Sequence, residues 1–302
     1  MSNQGEINMT TVNQIDSVGI ATSSMLVELN ISCWTARKLD KKVSEEIDTA
    51  KNTNVKAGNY HKHLLAGNPH LDAVVKYAAN VRLWNTKQTI PWSDAGGRIV
   101  TMENLFNGGY KSQLDNHKME FERLATNFIN IYPTLISASA FQLGDLFDRN
   151  EYPEAEEIVK KFKFNYTLSP LATSGDFRID IGEQARNEII QHYEEQFQER
   201  LNSAMRDVWD RLHTCLTHMS ERLTSEEDGT RKKFHGTLLT NARELVDLLN
   251  RLNVTQDPQL EQARRDLSAA LLNTDIDALK DSDYVRENVK QKVDAIINKF
   301  NW

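Results

Sequence analysis

Long apolar runs are missing from this 302-residue chain. Nothing in it approaches the 18 or more consecutive apolar residues that a membrane-spanning helix needs, so no transmembrane helix is expected. The start, MSNQGEINMTTVNQID, lacks a basic head followed by an apolar stretch, and no secretory signal is read there. Only two cysteines occur, Cys33 and Cys215, which is too few for a disulfide framework and fits a reducing cytoplasm. Proline is scarce as well: six residues leave long stretches in which nothing breaks a helix.

The usual chemical signatures are also missing. The glycine pairs at 96–97 and 108–109 belong neither to a phosphate-binding Gly-x-x-x-x-Gly-Lys-Ser/Thr loop nor to a dinucleotide Gly-x-Gly-x-x-Gly turn, and read as turns. No Gly-x-Ser-x-Gly elbow and no His-Glu-x-x-His pair is present. The carboxylates Glu194, Glu195, Glu199, Asp207 and Asp210 share one helical stretch. A di-metal bundle would need Glu-x-x-His as well, and the chain has none. His61 and His63 could grip a metal only if a strand set both on one face. They sit in the Gly- and Asn-rich stretch AGNYHKHLLAGNP, which reads as a turn with exposed polar residues. His213, Cys215 and His218 lie on a helix without further ligands and read as ordinary helix positions. No cofactor, metal or catalytic set is expected, and the chain is not read as an enzyme.

What is present is helix-forming sequence with a charged surface. The net charge is −7, from 43 acidic and 36 basic residues, which argues against a protein coated in phosphate contacts while leaving room for a local basic patch. Along the chain, residues 1–24 are polar and read as an arm. Residues 25–32, MLVELNIS, alternate with period two and predict a strand, and a charged helix is expected from Trp34. A helix beginning at Pro69 carries Leu71, Val74, Val75, Ala78 and Val81, with Trp84 at the end, as its stripe, and 89–100 reads as a loop. The next helix is expected to stop at Pro133, with a further helical stretch after it. KFKFNYTL at 161–168 and FRID at 177–180 predict two antiparallel strands joined by a loop.

From Glu183 the pattern changes. Ile189, Tyr193, Phe197, Leu201, Met205, Trp209, Leu212, Leu216, Met219 and Leu223 recur at steps of three or four with no Pro or Gly between them. One helix over 183–224 follows, about 60 Å long at 1.5 Å per residue. Its stripe serves either as an internal core seam or as a seam shared between subunits. Three amphipathic helices are expected beyond it, the second capped by Asp257 with Pro258 at its first position, and the last starting at Asp281 or Ser282. The fold class is therefore mainly α (α+β), a long helical bundle with a small antiparallel sheet of about three strands. The chain divides into an arm (1–24), a helical region with the sheet (25–182) and a long-helix bundle (183–302).

Two basic runs next to aromatic residues are the candidate interaction sites: Arg37, Lys38, Lys41 and Lys42 beside Trp34, and Arg231, Lys232 and Lys233 beside Phe234. Cations would meet phosphates while an aromatic ring stacked on a base. Acidic neighbours offset each run, so a solvated face is the competing reading.

The segments LVELNISCWTARKLDKKV, TIPWSDAGGRIV, YPEAEEIVKKFKFNYTLSPL with GDFRIDIG, and MRDVWDRLHTCLTHMSERL together resemble an uncharacterised protein family of tailed bacteriophages and proteobacteria. Members of that family are often encoded beside MoxR-type AAA+ ATPases. The resemblance implies a phage-encoded protein in the host cytoplasm, and an AAA+ ATPase as a possible partner. It implies no functional residues. A non-enzymatic interaction or assembly role through helical surfaces, with self-association or a protein partner and no membrane, is the leading expectation. A nucleic-acid accessory role using the basic and aromatic patches is the alternative.

Overall fold

Helix takes 67% of the described residues and strand 12%, so the fold is mainly α with a small sheet. The computed structural model describes residues 17–93, 95–173, 182–225, 232–300 and 302. The expected strand at 177–180, Arg231 and most of the arm lie outside them. Contacts gather the chain into two units, each assembled from separated segments: 1–28, 86–110 and 167–302 in the first, 29–85 and 111–166 in the second.

In the first unit the long helix is the axis. It is α6, Glu183–Leu223, and it ends where the stripe predicts. Phe197, Leu201, Ala204, Met205, Val208, Leu212, Leu216, Met219 and Leu223 are all buried along it. They pack against α7 (Thr237–Leu252) and α10 (Asp283–Lys299), on which α8 (Pro258–Leu271) completes the same core, with α1 (Ser17–Ser23) at one side. Spacing sets the buried face, and the caps set the ends. The Asp257 carboxylate accepts from the amides of Gln259 and Leu260, with Pro258 at the first turn, and the Ser282 hydroxyl accepts from Val285. The chain also makes a short unforeseen helix, α9 (Ile276–Asp281), capped by Asp275. Buried Arg286 ties α10 to the end of α6 by donating to the carbonyls of Leu223 (2.9 Å), Arg222 (2.7 Å) and Lys232 (2.8 Å). Two more arginines close the carbonyl end of α3 (Pro69–Gln88). Arg211 donates to Lys87 and Thr89, and Arg98 donates to Thr86 and Thr89. Cations at a helix C-terminus meet the negative end of its dipole.

The sheet has four strands in the order β4 (Ile90–Pro91), β5 (Arg98–Thr101), β1 (Ser24–Ser32), β6 (Lys163–Pro170). β1 and β6 match their expected stretches. The stretch 89–100, expected as a loop, is instead the β4–β5 hairpin. Its alternating pattern is too short to see beside Pro91 and the glycines, and its strands form because β5 pairs with β1 (Ser24 to Thr101, Val27 to Arg98). A wide turn with π-type hydrogen bonding, Glu103–Asn107, follows β5. Asn104 is fully buried in it, and a Cβ at Gly108 would sit 2.3 Å from the Asn104 side-chain oxygen, which is why glycine stands there.

In the second unit a further pair of strands, β2 (Arg37–Asp40) and β3 (Tyr60–His63), makes a two-stranded ribbon. The expected charged helix therefore starts only at Lys41, as α2 (Lys41–Ala50), with Asp40 as its cap accepting from Val43 at 3.1 Å. Helix α4 runs unbroken over Tyr110–Leu143 with Pro133 inside it, where the sequence predicts a stop. Its aromatic residues explain the override. Tyr132 is buried, packs edge-on to Trp34 at 5.6 Å and tilted on Phe128 at 5.8 Å, and donates to the Pro153 carbonyl at 2.9 Å. Those contacts hold the residue before proline helical against its local preference. Short helix α5, Ala155–Val159, leads into β6.

Candidate functional site

The β2–β3 ribbon joins two features that stand 24 positions apart in sequence. Its antiparallel register pairs Arg37 with His63, Lys38 with Lys62, Leu39 with His61 and Asp40 with Tyr60. Directly opposed residues share a face, and the faces alternate along each strand. Arg37, Leu39, His61 and His63 therefore line one face, and Lys38, Asp40, Tyr60 and Lys62 the other.

The second face is anchored by a buried lysine. Lys62 is 6% exposed, and its ammonium meets the Glu151 carboxylate at 2.8 Å, the Asp40 carboxylate at 3.1 Å and the Leu146 carbonyl at 2.8 Å. The ammonium thus donates to one carbonyl and sits within ion-pair distance of two carboxylates. Burial pushes the Lys62 amine down, but its bonds to Glu151 and Asp40 outweigh this and it titrates above its usual value. The Asp40 carboxyl is held below the usual range, first by the Val43 amide and then by Lys62. Tyr152 closes the same region by donating to the Leu64 carbonyl at 2.7 Å.

The first face is open: Arg37, His61 and His63 are exposed, with Leu39 half-buried between them. Lys38, exposed on the ribbon's opposite face, and Lys41 and Lys42, exposed in the first turn of α2, add cations nearby. Asp40 beside them is engaged by Lys62, and of the exposed acids on α2, Glu46 faces Lys42 at 3.9 Å. The histidines, expected in a turn, stand on a strand and on one face. The period-two run Tyr-His-Lys-His was the available signal, masked by the glycines and asparagines around it. Arg37 directly beside His63 disfavours a cation there. Among the described residues no group of three or more His, Cys, Asp or Glu side chains could hold a metal ion.

The two aromatic residues of the candidate patches have other work. Trp34 is half-buried in a cluster with Phe128 and Tyr132, and Phe162 touches Phe128 at 5.5 Å. Phe234 is half-buried with the Arg286 guanidinium 5.3 Å from its ring centre. Lys232 is half-buried and Lys233 exposed, in the other contact unit from Arg37, Lys38, Lys41 and Lys42. On α6, His213 stacks on Trp302 at 4.8 Å, and burial pushes the Cys215 thiol up to about 11. No helix among the described residues is long and apolar enough to cross a membrane. In comparisons with known proteins, no family model, curated protein or solved structure matches this chain.

Proposed function

We propose that this chain is a non-enzymatic interaction or assembly protein that joins another subunit through the start of α6. The observation that carries this reading is that the apolar stripe of α6 continues beyond its packed part. Between 183 and 196 no described residue is buried, yet Ala185 and Ile189 keep the four-residue step that leads through Tyr193, itself packed on the core beside Phe197, and Ile189 is 39% exposed. The ten residues before Tyr193, at 1.5 Å each, make roughly 15 Å of helix, enough for two knobs against a partner. The stretch 183–196 carries Glu183, Glu188, Glu194 and Glu195 against one basic residue, Arg186. An acidic rim around an apolar stripe suits a partner helix flanked by lysine and arginine.

The resemblance to a phage and proteobacterial family suggests a candidate for that partner, a MoxR-type AAA+ ATPase, and the host cytoplasm as the setting. Self-association is the other assembly the stripe would serve. Size-exclusion chromatography with light scattering, on the protein alone and mixed with such an ATPase, tests both. A dimer or a co-eluting complex is expected, and Ile189→Glu should abolish it while leaving the helix signal intact. A strict monomer that retains no partner, or an Ile189→Glu protein that assembles like the wild type, overturns the reading.

A further inference from the structure

We infer that the outer face of the β2–β3 ribbon, with the first turn of α2, is a binding site for the phosphate backbone of duplex DNA. The first support is local charge. Arg37, Lys38, Lys41 and Lys42 are exposed within one short stretch, and strand pairing brings His61 and His63 beside Arg37. Of the nearby carboxylates, Asp40 is taken by Lys62 and by the α2 cap, and Glu46 lies 3.9 Å from Lys42.

The second support is where two of the lysines stand. Lys41 and Lys42 open α2, which has no acidic residue in its first turn. That is the positive end of the helix dipole, where carboxylates are favoured and cations are not. The Asp40 cap carboxylate offsets part of that repulsion, and an anion bound in front of the two lysines would offset the rest.

Duplex DNA is the polyanion that fits. A two-stranded ribbon enters a major groove about 12 Å wide, and four residues per strand at about 3.3 Å each span roughly four base-pair steps. Single strands are held chiefly by stacking on aromatic rings, and Trp34, the aromatic residue nearest in sequence, is committed to Phe128 and Tyr132. A membrane surface would want apolar anchors beside the cations, and Leu39, already half-buried, is the one apolar side chain of this face. The chain's net charge of −7 opposes general attraction to DNA, so binding should depend on this patch alone.

The experiment is fluorescence anisotropy of a labelled duplex against the full chain over a series of potassium chloride concentrations. Four phosphate contacts predict a slope of log K against log salt of about −3.6. Replacing Arg37, Lys38, Lys41 and Lys42 together by alanine should weaken binding more than tenfold at low salt and bring the slope near zero. Lys292→Ala, an exposed change on α10, should leave both unchanged. The pair Lys41→Gln and Lys42→Gln separates binding from folding: it should weaken binding while the Tm stays the same or rises. The inference is overturned if the duplex fails to bind at low salt, or if the fourfold variant binds like the wild type. It is equally overturned if polyaspartate or anionic lipid vesicles displace the protein as well as unlabelled duplex does. The helix α6 variant Ile189→Glu should bind DNA normally, which keeps this site distinct from the assembly surface.

Discussion

Lys62 shows how much one side chain can decide. Its ammonium is buried between Glu151 and Asp40, which are 18% and 13% exposed at their side chains. Substituting Lys62→Met would keep the volume but strand two carboxylates, so a loss of about 3 kcal/mol is expected, read as a lower urea midpoint. Because the Lys62 amine titrates above its usual value, its contribution is complete below the unfolded value of about 10.4 and fades as pH rises through the folded one. Glu261 on α8 works in the opposite sense. Hydrogen bonds from Arg264, opposed by burial and helped by Arg265, hold its carboxyl down to about 2. The stability it supplies is present above the unfolded value of about 4.3 and disappears as pH falls through the folded one. Since these pairs lie at the solvent edge, the effect is on the order of 1 kcal/mol. Glu261→Gln should therefore flatten the fall in Tm between roughly pH 4.5 and pH 2, relative to the wild type.

Among elements, α4 is the one whose local sequence and observed structure disagree most. Pro133 lacks the amide that would meet the Ile129 carbonyl, and an interior proline costs about 3 kcal/mol in a free helix. The aromatic contacts of Tyr132 and the helix on either side carry that cost. Pro133 is exposed, so Pro133→Ala should raise stability by about 1–3 kcal/mol without disturbing packing, checked by thermal melting. The β2–β3 ribbon teaches a related lesson. Each strand has four residues, and each is written in charged residues and histidine rather than in Val, Ile or Thr. Strand propensity expresses packing on a pleated surface, so it is silent where a ribbon is held by a buried ion pair instead. That is why local pattern predicts a helix from Trp34 and a turn at the two histidines. The candidate site was legible only as a basic run; its histidine half needed the pairing.

For the whole molecule, α6 dominates the first unit because its buried residues share a single continuous core with α7, α8 and α10. Leu212 is fully buried at the middle of that seam, and Leu212→Ala should cost about 3–4 kcal/mol, lowering the urea midpoint with the slope unchanged. By itself the amino-acid order determined the mainly helical class, the extent of α6, the boundaries of α7, α8 and α10 with their Asp257 and Ser282 caps, and strands β1 and β6. Those are local matters: a 3.6 or 2.0 period, a capping side chain and a proline at the first turn act within a few residues. Tertiary structure decided the β4–β5 hairpin, the continuity of α4 through Pro133, and the grouping of the chain into two units made of separated segments. It also decided which cations share a face with which histidines. Strand pairing and aromatic packing act between residues far apart in sequence, so their energies leave no mark on local periodicity.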